Sequence, residues 1–129
     1  MPIRVERSKA ERMVRKLYRD LFRREPEADV LRGLVSYFAE GRISARTQLM
    51  RMLKSDEFFD KHLREAAPET IAQQLYRAIL ARPPESNDAL SGAADFIDKF
   101  GWQAQVDVMI NSEEYLGRFS DDDLPNLAP

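Results

Sequence analysis

The sequence of 129 residues holds few groups that could do covalent chemistry. Its one histidine, His62, lies between Lys61 and Leu63, and there is no cysteine. A thiolate nucleophile, a disulfide framework and the partner set of a metal site or nucleophilic triad are therefore absent. The acidic run Asp121-Asp122-Asp123 sits in a stretch ending Asp-Leu-Pro, too irregular to hold the geometry that acid–base catalysis demands. No catalytic, metal-binding or cofactor-binding residue is assigned, and the reading is non-enzymatic. What these residues can do is pair and dock. Arg12, Arg15, Lys16, Arg19 and Arg23 gather on one side of the first helical stretch, a surface for an acidic partner. Trp102, just after Gly101, is the candidate aromatic anchor. The same basic row could neutralise phosphates. Yet no stacking platform accompanies it, so nucleic-acid binding is kept only as a remote alternative.

A second set of residues points inward. Leu17, Tyr18, Arg19, Arg24, Pro26 and Glu27 recur as identical residues at an offset of 58, as Leu75, Tyr76, Arg77, Arg82, Pro84 and Glu85. Ser55 and Glu57 recur at an offset of 57 as Ser112 and Glu114, with Phe58 answered by Tyr115. An ordered series of this kind marks two copies of one unit. It also pairs Arg24 with Glu57 and Arg82 with Glu114. Each Arg is expected to close its own half on that half's Ser-x-Glu helix start, as a structural pair rather than a reactive one.

The elements that must position these residues are helical. Ser8 with Glu11 reads as a capping box, and Met13, Val14, Leu17, Tyr18, Leu21 and Phe22 form a two-row stripe. A second helix over about Ala28–Glu40 ends at Gly41, a left-handed cap. Ser44 and Ser55 cap two shorter helices. The second half repeats the plan: Pro68 in a first turn, a stop at Arg82-Pro83-Pro84, caps at Ser86 and Ser112, and Gly101 closing the second helix. The expectation is an all-α domain of about eight helices, built as two related four-helix units. Its parts are a flexible arm (1–7), a helical domain (8–120, halves 8–67 and 68–120) and an acidic tail (121–129).

A net charge of −2 conceals a division. Residues 1–64 carry 16 Lys and Arg against 10 Asp and Glu, and residues 65–129 carry 4 against 12. Opposite charge in the two halves favours head-to-tail self-association, which salt would weaken. No apolar run approaches the ~20 residues that span a bilayer, and the charged N-terminus has no hydrophobic leader core. A cytoplasmic protein without membrane insertion is expected.

With these motifs in order, the chain resembles the phycobilisome linker domain family. The carriers in the second half are Leu80-Ala81-Arg82-Pro83-Pro84, Phe100-Gly101, Ser112-Glu113-Glu114-Tyr115 and Phe119-Ser120-Asp121-Asp122-Asp123-Leu124-Pro125. The first half matches more loosely through Tyr18-Arg19, Phe22, Gly41, Ile43-Ser44 and Leu53 to Phe58. The resemblance covers roughly Ala10 to Pro125. It implies an all-α, pigment-free scaffold that joins phycobiliproteins, at the stromal face of the thylakoid. The family's glycines after Leu80 and Phe119 are Ala81 and Ser120 here, and only the first half has the family's basic charge. The alternative role is an adaptor or self-assembling protein of a non-photosynthetic bacterium using the same fold.

Overall fold

The apolar row Ala10, Met13, Val14 and Leu17 is fully or almost fully buried, and it builds α1 (Arg7–Leu17). A π turn, Tyr18–Phe22, continues the helix. In the computed structural model, which describes residues 6–125, the remaining helices are α2 (Ala28–Ala39), α3 (Ala45–Leu53), α4 (Asp56–Phe58), α5 (Pro68–Leu75), α6 (Asn87–Phe100), α7 (Trp102–Ile110) and α8 (Glu113–Arg118). Second and third π turns, Phe59–Leu63 and Tyr76–Leu80, extend α4 and α5. The domain is all-α, with eight helices and no strand among the described residues.

Helix starts follow the serines. Ser44, Ser55, Ser86 and Ser112 accept from the backbone N–H groups of Thr47, Phe58, Ala89 and Tyr115, the N-cap geometry that satisfies an orphan donor. Ser8 departs from its expected role. Glu6 is the N-cap and contributes its carbonyl to the Ala10 N–H at 2.8 Å, so Ser8 lies inside α1, and Glu11 faces Arg15 instead. The expected arm falls largely on residues outside the described ones, and Arg7 is already helical. Gly41 closes α2 at φ 73°, and Gly101, at φ 91°, is the single residue between α6 and α7. An L side chain is strained at both angles.

Each half begins with a packed helix pair, α1 against α2 and α5 against α6, and the halves meet through α3 and α7. That junction is reciprocal. Gln103 at the start of α7 donates to the carbonyl of Lys54, the C-cap of α3, at 3.0 Å. Arg46 at the start of α3 donates to the side chain of Asn111, the C-cap of α7, at 2.7 Å. Residues 46 and 103, and 54 and 111, are equivalent at the offset of 57, so the contact obeys the two-fold relation of the repeat. One continuous apolar core runs through both halves, from Ala10 to Tyr115 and Leu124. Leu124 draws the start of the acidic segment back onto the domain, where the Arg46 N–H meets the Asp121 carbonyl at 3.1 Å. Residues 121–125 are thus docked turns, and 126–129 of the expected tail lie outside the described residues.

Candidate protein-interaction surface

The repeated Arg and Glu residues form two near-identical latches. Arg24 donates from Nε and Nη2 to the two carboxylate oxygens of Glu57 at 2.8 and 3.0 Å, and from Nη1 to Glu27 at 2.7 Å. Arg82 does the same to Glu114 at 2.8 and 2.6 Å and to Glu85 at 2.9 Å. The face of each guanidinium lies over the preceding tyrosine ring, Tyr18 at 5.2 Å and Tyr76 at 5.3 Å, a cation–π arrangement. Each glutamate has a second cation one turn on, Lys61 at 2.8 Å or Arg118 at 3.0 Å. These two cations also donate to the carbonyls of Phe22 and Leu80, at the ends of the corresponding π turns. The bidentate arginines hold the Glu57 and Glu114 carboxyls down at about 2, against the smaller opposing effect of burial. Their effect on the arginines is reciprocal: hydrogen bonds to the glutamates raise both guanidinium values.

Chain geometry explains how the arginine reaches its partner. The residue after the π turn takes a left-handed conformation, Arg23 at φ 56° and Ala81 at φ 55°. This reverses the backbone and aims the next side chain, Arg24 or Arg82, across to the serine-capped helix. Non-glycine residues pay a steric penalty in this region. The π turns and the third latch members left weaker marks in the sequence, the only clue being that Lys61 and Arg118 are both basic at the repeat offset.

The five basic residues of the first helix do not behave as one surface. Arg15 faces Glu11 and Glu25, and Lys16 bonds Asp20 at 2.7 Å. Arg12 and Arg19 are exposed and have no carboxylate partner among the described residues. Arg23 leaves the helix row, and its Nη2 lies 3.4 Å from His62 Nδ1. Trp102 is half-buried at the junction of the halves. Its Nε1–H donates to the Leu53 carbonyl at 2.9 Å and its ring stacks on Phe59 at 4.9 Å, leaving only part of the indole at the surface.

His62 is also placed by the backbone. Its Nε2 meets the Leu21 carbonyl at 2.8 Å, which requires the proton on Nε2 and leaves Nδ1 to accept from Arg23. Burial lowers its pKa below the usual value; the Leu21 hydrogen bond opposes this, and Arg23 and Lys61 add to the lowering. The ring opens onto a cleft of about 470 Å³ between the halves. Among the described residues no group of His, Asp or Glu has the arrangement of a metal site. No described helix is long and apolar enough to cross a membrane.

Fold and geometry together define a helical two-fold repeat, closed in each half by a partly exposed ion pair. The chain belongs to the phycobilisome linker polypeptide family, whose model, Phycobilisome Linker polypeptide, matches residues 5–127. It is 29% identical over 122 residues to the Phycobiliprotein ApcE of Synechocystis, covering 92% of this chain and 13% of that protein. It is 26% identical over 118 residues to the phycobilisome 32.1 kDa linker polypeptide, phycocyanin-associated, rod 1, of the same organism, covering 90% and 40%. It is 24% identical over 120 residues to the phycobilisome 31.8 kDa linker polypeptide, phycoerythrin-associated, rod, of Microchaete diplosiphon, covering 92% and 42%. The chain therefore spans less than half the length of these relatives.

Proposed function

We propose that this domain is a non-catalytic scaffold that joins phycobiliproteins, docking an acidic partner on the outer face of α1. Membership of the linker family supports the reading most strongly. The names of the relatives add the partner class, being phycocyanin-associated and phycoerythrin-associated linkers. Within the chain, Arg12 and Arg19 are the cations best placed for such a partner, because no internal carboxylate answers them. Arg15 and Lys16 lie on the same helix, each already paired with a carboxylate, while Arg23 and the exposed edge of Trp102 are separate candidate contacts. The assembly belongs at the thylakoid surface under this reading.

The test is recovery of the tagged chain with purified phycocyanin and allophycocyanin, read from the visible spectrum of the eluate. A coloured eluate at low salt that fades with Arg12→Glu, Arg19→Glu supports the role. A colourless eluate with either phycobiliprotein sinks it and favours the adaptor role in a host without phycobilisomes. Head-to-tail self-association is a finer part of the proposal, with α1 of one copy meeting the acidic face of α6, Asp88, Asp95 and Asp98, on the next. Sedimentation should then show larger species at 20 mM salt than at 0.5 M, since screening shortens the field from about 20 Å to under 5 Å.

A further inference from the structure

The cleft beside His62 is lined by the first helices of both halves, the end of α4 and the Leu124-Pro125 segment. Its floor is apolar, with Leu17, Leu21, Leu49 and Phe58. Its rim carries four cations, Lys16, Arg23, Lys61 and Arg77, against one carboxylate, Asp20. Two of the cations are already answered, Lys16 by Asp20 and Lys61 by Glu57 and the Phe22 carbonyl. The two arginines are not: neither Arg23 nor Arg77 has a carboxylate partner among the described residues. They come from opposite halves, so the paired site exists only in the assembled repeat.

We propose that this cleft binds an acidic, apolar-flanked segment of a partner protein, with Arg23 and Arg77 taking its carboxylate and the leucine and phenylalanine floor taking its neighbour. Arg23 is held for this by a contact that serves no latch: its guanidinium rests on the neutral nitrogen of His62. A forked guanidinium suits a carboxylate better than an ammonium does, and the cleft volume of about 470 Å³ lies in the range of side-chain and ligand pockets, roughly 300–1,000 Å³. The inference deepens the scaffold reading and rests on it, adding a second contact point away from Arg12 and Arg19.

The experiment uses His62, the only histidine, as a resident probe. The full chain is titrated with a blocked octapeptide of alternating glutamate and leucine, and the imidazole resonances are followed by NMR. Binding should shift them and raise the apparent His62 pKa, because a new anion joins Lys16 of α1, Asp20 of the first π turn, Arg23 just after it, and Lys61 and Arg77 of the second and third π turns around the ring. Arg77→Gln, an exposed helix substitution that leaves the fold intact, should weaken binding about tenfold, the loss expected of one charge-assisted contact. Arg23→Gln should do the same. The glutamine–leucine octapeptide should leave the resonances unmoved. The inference falls if the glutamate peptide moves nothing, if Arg77→Gln binds as well as wild type, or if a duplex oligonucleotide binds more tightly with the same arginine dependence. Loss of phycocyanin recovery by Arg12→Glu, Arg19→Glu with peptide binding intact would leave both proposals standing. Absence of phycocyanin recovery by the wild type, with peptide binding intact, would overturn the scaffold role alone.

Discussion

An arginine that reaches both oxygens of one carboxylate through Nε and Nη2, with its face on a tyrosine ring, cannot be replaced by lysine without loss. Lysine offers a point charge and no fork. Arg82→Lys should therefore lower stability by about 1 kcal/mol, discounted from a buried pair because both side chains are about one-third exposed. Chemical denaturation checks it, and an unchanged midpoint would show the latch to be ornamental. The glutamates make a second prediction with a definite sign. Their carboxyls sit at about 2 in the folded chain against an unfolded value of 4.5. The latches thus contribute stability that is fully present above about 4.5 and is lost as the pH falls toward 2. Glu57→Gln, Glu114→Gln should flatten the acid limb of the stability profile in that window. Ala81 sits at φ 55°, so Ala81→Gly should raise stability by about 1 kcal/mol by relieving the left-handed clash. A lower thermal midpoint for Ala81→Gly would contradict that argument. Both halves of the latch pairing could be read in the sequence, because an arginine and a glutamate recurring together at offsets of 58 and 57 imply a conserved distance within each unit. What turns the arginine inward could not, since nothing in the residue types of Arg23 and Ala81 announces a left-handed backbone.

Helix boundaries were readable wherever a serine could meet an orphan N–H. Ser55 and Ser112 do more than cap: each hydroxyl accepts from the third residue on, Phe58 or Tyr115, and donates to the carbonyl of Met52 or Met109. Each hydroxyl therefore joins the end of one helix to the start of the next and fixes the turn from which Glu57 or Glu114 projects. Ser112→Ala should cost about 1–2 kcal/mol, and its effect should be less than additive with Arg82→Lys, because both disturb the same carboxylate. A double-mutant cycle that gives strict additivity would separate cap from latch. Ser8 shows where such reading stops. Its spacing to Glu11 satisfies the capping-box pattern, but helix propensity extends α1 back to Arg7 and the capping role passes to Glu6 without a side-chain hydrogen bond. The π turns were invisible for a related reason. They keep the same buried stripe as an α-helix over five residues, and only the main-chain hydrogen bonds distinguish them.

At the scale of the whole molecule, the opposed charge of the halves is partly consumed inside the chain. Lys54 meets Asp107 at 3.0 Å across the α3–α7 junction, Arg46 meets Asp121 at 2.7 Å, and Lys9 meets Asp123 at 3.2 Å. The sequence showed the imbalance but not this route, because the pairs lie 53 to 114 residues apart and depend on the reciprocal crossing of α3 and α7. Beneath the ion pairs one apolar core is shared by both halves, so loss of either half exposes apolar surface of the other. Unfolding should be a single transition. Trp102 is the only tryptophan, and its hydrogen bond to Leu53 and its stacking on Phe59 span the junction, which makes its fluorescence a reporter of the halves' docking. Far-UV circular dichroism reports the helices of both. In urea the two signals should change together, with one midpoint. Fluorescence that changes at lower urea than ellipticity would mean that the halves part while still helical, and the repeat would then be two cooperating units rather than one.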